Sequence, residues 1–250
     1  MQRFKKGLIS VSFRKNTAED IVKAAAENGL KYIEWGSDVH ARYDDFKAIE
    51  NIAKLQEKYA VKCSSYGTYF RIGENDDSEL LCYISAAKML GTNVLRVWCG
   101  NKKAAEYTES KKQDFLAECK KIADIAEKNN VLICAETHHH TYTETKAGAL
   151  ELMRKIESPS FKMYWQPNQY CAEDENIEYI KLLNPYITHI HVFNWKGEKR
   201  FKLIEALDEW RTYLSCIEGE HILFLEFMPN DRIDELKQET MALNTILEGF

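Results

Sequence analysis

Short apolar runs alternate with stretches of helical period along the whole chain. The runs, at residues 8–12, 32–35, 61–66, 94–98, 131–136, 162–166, 187–193 and 222–227, each close on polar or aromatic residues. Their starts recur at roughly 23 to 38 residues, the length of one strand, one helix and two loops. Between them the apolar positions take the spacing of a helix face. Phe46, Ile49, Ala53 and Tyr59 share a face with Ile52 and Leu55 beside them; Leu80, Ile84 and Ala87 do so in the next helix, and Phe115, Cys119, Ile122 and Ala126 in the one after. Gly29 and Gly91 stand where a helix ends on a left-handed residue before the next strand. Thr17 and Asp20 have capping-box spacing, and Asp44 and Asp45 open a helix where its dipole favours acids. Eight β-then-α units without a linker predict a single-domain (β/α)8 barrel over residues 1–250. The competing fold, an open doubly wound sheet, usually carries a glycine-rich phosphate loop after its first strand, and residues 10–16 contain no glycine.

Composition narrows the partners. The 45% apolar content suffices for a sizeable core, while a net charge of -5 with dispersed Lys and Arg argues against a nucleic-acid partner. The seven cysteines are odd in number and form no C-x-x-C pair, which suits free thiols in a reducing compartment. No apolar run has membrane-spanning length, and the polar start at residues 1–6 is followed by no signal-peptide apolar stretch. A cytoplasmic protein with no membrane partner is expected.

In such a barrel the chemistry gathers at the carboxyl ends of the strands. The most informative end is 131–140, where an apolar run passes directly into Glu136, Thr137, His138, His139 and His140. Alternation along a strand puts Glu136 and His138 on one face and Thr137 and His139 on the other. The remaining ends supply Ser12, Arg14, Glu34, His40, Ser65, Tyr66, Arg71, Arg96, Trp98, Gln166, Asn168, His189, His191, Asn194 and Glu226. Glu136, Gln166, His191 and Glu226, one from each of the last four strands, make a cage for a divalent cation such as Mn, Mg, Co or Zn. A purely structural role would pair these groups with Arg96 or with one another. Four such residues at consecutive strand ends favour a site, because each is costly to bury unless paired or liganded.

These motifs give the chain a resemblance that covers essentially its whole length. Glu34-Trp at strand two, Arg96-Val-Trp98 at strand four, Glu136-Thr-His138 at strand five, His189-Ile-His191 at strand seven and Leu-Glu226-Phe at strand eight resemble the xylose isomerase-like TIM-barrel superfamily. Within it they are similar to the sugar phosphate isomerase/epimerase group, with its ketose 3-epimerases, hydroxypyruvate isomerases and inosose dehydratases. The resemblance implies a metal held by Glu, Asp, His and Glu on strands five to eight. Glu136, His191 and Glu226 match; Gln166 replaces the acid and removes one negative charge, so weaker metal affinity or loss of the metal is expected.

A small sugar, sugar phosphate or polyol-derived ketone bound at such an ion has an acidified C–H, which a carboxylate removes to form an enediolate. Glu136 and Glu226 are the expected acid/base pair, an assignment the ketose 3-epimerase resemblance supports, and the expected activity is isomerisation or epimerisation. Dehydration on the same scaffold and non-catalytic sugar binding at a weakened metal site are the alternatives. A DNA-repair nuclease, as in the AP endonucleases of the superfamily, is disfavoured by the acidic charge. His138, Glu34, His40, Trp98, Arg96, Lys196 and Arg200 are candidate substrate contacts, each with a structural alternative: support of a neighbouring site residue, a salt bridge, a loop position or packing. Arg71, Arg96, Lys196 and Arg200 are the candidate phosphate neutralisers. His139 and His140 are read as loop residues, and His189 as a core hydrogen-bonding group. Cys134 shares a face with Glu136, which disfavours a thiolate mechanism. The group implies a homo-oligomer, although no self-complementary patch is legible.

Overall fold

The computed structural model describes residues 3–250, so the first two residues of the expected domain lie outside the described residues. Among the described residues eight parallel strands form the sheet: β1 (Phe4–Ile9), β2 (Tyr32–Gly36), β3 (Lys62–Ile72), β4 (Val94–Cys99), β5 (Leu132–Glu136), β6 (Phe161–Trp165), β7 (Ile187–Val192) and β10 (His221–Leu225). They close into a barrel in the order β1-β10-β7-β6-β5-β4-β3-β2. The small β8 (Trp195–Lys196) and β9 (Lys199–Arg200) form an antiparallel hairpin after β7. Eight helices surround the barrel: α1 (Ala18–Glu27), α2 (Phe46–Tyr59), α3 (Asp77–Leu90), α4 (Glu109–Asn129), α5 (Lys146–Ile156), α6 (Glu173–Leu183), α7 (Leu207–Cys216) and α8 (Leu236–Ile246). Among the described residues no helix is long and apolar enough to cross a membrane.

The local signals act as their chemistry requires. The Thr17 hydroxyl accepts from the Asp20 N–H and Asp20 returns the bond to the Thr17 N–H, closing a full capping box on α1. Asp45 caps α2. Gly91 closes α3 at φ +86°, a left-handed turn that leads straight into β4.

Three expectations need correction. The first strand begins at Phe4, not residue 8, and Ser10–Phe13 is a 3-10 turn. Lys5 and Lys6 hid the strand: their ends leave the barrel bottom for Glu220 (3.7 Å) and Asn244 (2.5 Å) while Phe4 and Leu8 are buried. The third strand runs on to Ile72, with a register shift between Gly67 and Arg71, and so carries Tyr69 to the barrel mouth. Phe46 is exposed, and α2 instead buries Ile49, Ile52, Leu55 and Gln56. Gln56 accepts from Trp35 Nε1 at 2.7 Å and donates to the Leu90 carbonyl at 3.0 Å, so its amide is satisfied in the core.

Gly67 sits where β3 passes the polar floor of the barrel. A Cβ there would lie 2.7 Å from Glu34 Oε1 and 2.9 Å from Arg96 Nη2. The ion pair therefore occupies the space a side chain would take. Gly67→Ala is expected to destabilise the protein by about 1–3 kcal/mol, as overpacking does, read as a lowered midpoint in a denaturant titration; an unchanged midpoint would show that the floor can give way.

Candidate active site at the barrel mouth

A cavity of about 280 Å³ opens at the carboxyl ends of the strands, lined by Arg14, Tyr69, Trp98, His138, Gln169, Trp195 and Phe227 above a floor of Arg96, Glu136, Gln166 and Glu226. Val11, His139 and Phe193 complete its wall. The cage residues converge on one atom, His191 Nδ1, which lies 3.0 Å from Glu136 Oε1, 3.2 Å from Gln166 Oε1 and 3.5 Å from Glu226 Oε2. Each donor is aimed by its own element. Glu136 ends β5, and its other oxygen accepts from Trp98 Nε1 at 2.5 Å and faces Arg96 Nη1 at 3.3 Å. Gln166 follows β6; its amide nitrogen donates to the Thr137 carbonyl at 2.9 Å, which turns its oxygen toward His191. Glu226 follows β10 just before Phe227, a bulky residue at φ +47° whose N–H donates to Ser12 Oγ at 2.9 Å. Left-handed backbone at such a residue is a strain that functional sites commonly carry.

Beneath the cage is a second polar layer. Glu34 Oε1 lies 3.6 Å from His191 Nε2 and 3.3 Å from Arg96 Nε, and its Oε2 accepts from Ser65 Oγ at 2.7 Å. His191 Nε2 has no hydrogen-bond partner, so at this distance the Glu34 carboxylate acts on the ring through its charge, which raises the ring's basicity.

The charges set one another. Burial alone would raise the Glu136 carboxyl, but Arg96 and then His191 hold it well below the usual range. Burial disfavours the His191 imidazolium, yet Glu226, Glu34 and Glu136 push the ring up to about 10. Burial lifts Glu226 to about 7: Glu136 and Glu34 add to the rise, and His191 and Arg96 oppose it. The two carboxylates are thus pushed apart, as a site with two distinct proton roles requires.

The donor set fits a divalent ion. Glu136, His191 and Glu226 each offer one ligand atom, all within 4.8 Å of one another. The 3.0–3.5 Å separations about His191 Nδ1 are those of atoms sharing one ion at about 2.0–2.2 Å. Glu34, Glu136 and Glu226 set against Arg96 and a 2+ ion would leave the buried cluster neutral.

Of the expected substrate contacts, Trp98, His138 and Arg96 line the cavity, and Glu34, His40, Lys196 and Arg200 do not. Glu34 is fully buried under Arg96 and His191. His40 packs on Trp35 and bonds the Asn16 carbonyl at 3.1 Å. Lys196 pairs outside with Glu209 at 2.5 Å. Arg200 pairs with Asp231 at 2.5 Å and lies over Trp195 and Phe227, so it braces the wall from behind. Arg71 donates to the Gly100 carbonyl. His189 has the core role expected: its Nδ1 accepts from the Ile222 N–H at 3.3 Å, and burial, with His221 nearby, drives it down to about 3. Burial pushes the Cys134 thiol up to about 12, which argues against a thiolate. All seven cysteines are free.

Sequence reasoning missed Tyr69, Gln169, Phe193, Trp195 and Phe227, and listed Arg14 without giving it a role. For Phe193, Trp195 and Phe227 the signal available was the aromatic residues that follow the last two barrel strands; Tyr69 and Gln169 had none. Arg14 donates to Asp38 Oδ2 at 2.6 Å and to the Tyr69 hydroxyl at 2.7 Å, a fixed brace at the mouth.

A closed β/α barrel with such a cage at the carboxyl ends of its strands has the architecture of barrel enzymes. The chain belongs to the xylose isomerase-like TIM-barrel family, whose profile matches residues 22–222. A curated relative, the 3-dehydroshikimate dehydratase of Bacillus anthracis, is 25% identical over 205 residues, covering 76% of this chain and 71% of that protein. Among solved structures, the probable 3-DHS dehydratase AsbF of Bacillus anthracis superposes with a TM-score of 0.79 at 22% identity, over 96% of this chain and 98% of that one. The IolI protein with a binding zinc atom gives 0.78 at 16% identity, over 98% and 99%. D-psicose 3-epimerase in the presence of D-fructose gives 0.68 at 13% identity, over 98% and 100%. The structural likenesses establish a shared fold.

Metal ligation requires a deprotonated His191 and an ionised Glu226, so each must release its proton when its pKa lies above the working pH. Affinity is therefore expected to rise with pH: by about one decade per unit between pH 7 and 10, where only His191 releases a proton, and more steeply below 7. Competition with a chelator across that range checks this, and a flat profile would remove His191 from the ligand set.

Proposed function

We propose that the barrel catalyses divalent-metal-dependent proton transfer at a carbon next to the carbonyl of a small hydroxylated ketone. The observation that carries this reading is the convergence of Glu136, Gln166, His191 and Glu226 on one point of a cavity of about 280 Å³, at the small end for a ligand pocket. A divalent ion such as Mn, Mg, Co or Zn held there would polarise the carbonyl and acidify the adjacent C–H.

The protein groups divide the remaining work. Glu136 is pinned by Trp98 and Arg96, so its role is to hold charge in a fixed place. Glu226 is the stronger base of the two and is proposed to take the carbon-bound proton. His138 donates Nδ1–H to the His139 carbonyl at 2.7 Å, a bond that holds the ring and leaves Nε2 available to a substrate hydroxyl. Trp98 and Trp195 give the cavity flat apolar walls suited to a carbon skeleton. Both cations lining it, Arg14 and Arg96, are already paired with carboxylates, which favours a substrate without a phosphate.

Two endings of the reaction have support. Delivery of a proton to the opposite face of the same carbon is epimerisation, and delivery to the neighbouring carbon is isomerisation. Loss of a β-hydroxyl as water, with its proton supplied by a protonated carboxyl, is dehydration; the sequence kinship with a dehydratase over 76% of the chain favours this second reading.

Solvent-deuterium exchange, followed by mass analysis of the product, tests both. Exchange at carbon is expected with the metal-loaded protein. A product one mass unit heavier through deuterium at carbon would mean isomerisation or epimerisation; one that has lost the mass of a water would mean dehydration. Glu226→Gln is expected to lower exchange by about 10²–10⁴-fold, the usual contribution of a general base, with Glu136→Gln lowering it as well. Undiminished exchange in both variants would defeat the assignment.

A further inference from the structure

The loop between β5 and α5 holds a second cluster of ligand-type groups that the proposed reaction does not use. His139, His140 and Glu144 each offer one ligand atom, all within 4.8 Å of one another. In an extended strand, consecutive residues point to opposite faces. Here His140 adopts φ +55°, and that left-handed turn brings the two imidazoles side by side with ring centroids 3.7 Å apart. Glu144, at the end of a 3-10 turn (Tyr142–Glu144), folds back so that its Oε2 accepts from the His140 N–H at 2.8 Å. Its Oε1 lies 3.3 Å from His139 Nδ1.

His139 Nδ1 is a buried nitrogen with no hydrogen-bond partner. Although the Glu144 oxygen is near, the two atoms do not face each other as donor and acceptor. A separation of 3.3 Å off the hydrogen-bond axis is what two ligands of one tetrahedral ion at about 2.0–2.1 Å would show. The Glu144 side chain is only 6% exposed, so its carboxylate is held in place; the competing cation, Lys103 Nζ at 2.9 Å from Oε1, is 43% exposed and free to swing into solvent.

We propose that His139, His140 and Glu144 form a second metal site at the rim of the cavity, for an imidazole-preferring transition ion of the zinc class. Two imidazoles and one carboxylate suit zinc better than magnesium or calcium, which favour all-oxygen sites. Three protein ligands leave a fourth position open to water or to a substrate oxygen, the pattern of a reactive rather than a purely structural site. His139 also lines the cavity, so an ion here would stand at the substrate's entrance and fix the β5–α5 loop against Tyr170, whose ring is 5.0 Å from His139. Lys103 acts as a built-in competitor, and the site fills by displacing it from Glu144.

The test is a titration of the whole protein with Zn2+ alone, counting bound metal after dialysis. Two equivalents are expected for the unaltered chain. Glu226→Ala should keep one, and the double variant His139→Ala/His140→Ala should keep the other. Lys103→Ala should tighten the rim site at unchanged stoichiometry, an effect that a merely structural Lys103–Glu144 pair would not produce. A single equivalent in the unaltered chain that Glu226→Ala abolishes, or two equivalents retained by the double histidine variant, would overturn the proposal. A single equivalent that survives Glu226→Ala but not the histidine variant would support the rim site while removing the barrel-floor cage.

Discussion

The site depends on one buried cation. Arg96, 3% exposed at the centre of β4, reaches Glu34 on β2 and Glu136 on β5 at the same time and donates to the Thr68 carbonyl at 3.2 Å. Taking a carboxylate out of water is expensive, and without Arg96 the floor would hold three of them against His191 alone. A lysine would not serve: only a planar fork can meet two carboxylates and a carbonyl in different directions. The glycine at position 67 belongs to the same arrangement, since the guanidinium and the Glu34 carboxylate fill the volume its side chain would need.

With Arg96 in place, the remaining geometry follows from the barrel. Parallel strands bring residues from β2, β4, β5, β6, β7 and β10 to one axis without any loop having to close over them. The result is two layers. Glu34 lies in a lower layer beneath Arg96 and His191, and Glu136, Gln166 and Glu226 form an upper layer that lines the cavity with Arg96; buried His191 stands between the two, one ring nitrogen facing Glu34 and the other Glu136. The lower layer makes the upper one affordable. It also accounts for Glu34 being out of reach of any substrate although it lies on the right face of the right strand.

The barrel was legible because its signals are periodic: apolar runs, helix faces, the Thr17–Asp20 box and the glycines at helix ends all agree. The cage was legible because strand alternation fixes which side chains point inward, as with Glu136 and Gln166. What escaped was depth along the axis and the course of the loops. Glu34 and His191 look alike in sequence, each one inward residue near a strand end, yet one is under the floor and the other in it. Lys196 and Arg200 follow His191 closely in the chain, but the β8–β9 hairpin turns both outward, to Glu209 and Asp231. Tyr69 arrives at the mouth only because β3 is extended past a register shift, and no composition signal encodes that. The first strand was obscured for the opposite reason: its lysine stems lie along the barrel while their charges reach solvent.

Gln166, the one departure from the family's acid, is consistent with the charge of the whole floor. The cage alone has two carboxylates, but Glu34 directly beneath adds a third, and Arg96 offsets only one. An acid at position 166 would make four, an excess that a single divalent ion and Arg96 could not neutralise in a buried setting. The amide also does what a carboxylate could not: its nitrogen donates to the Thr137 carbonyl, and that bond turns its oxygen into the cage. Thr137 in turn is tied to the Gln166 backbone in both directions, at 3.0 and 3.1 Å, so β5 and β6 are locked together at the level of the cage. The replacement of acid by amide therefore exchanges one unit of charge for a fixed orientation, in a site where Glu34 already adds a negative charge from below.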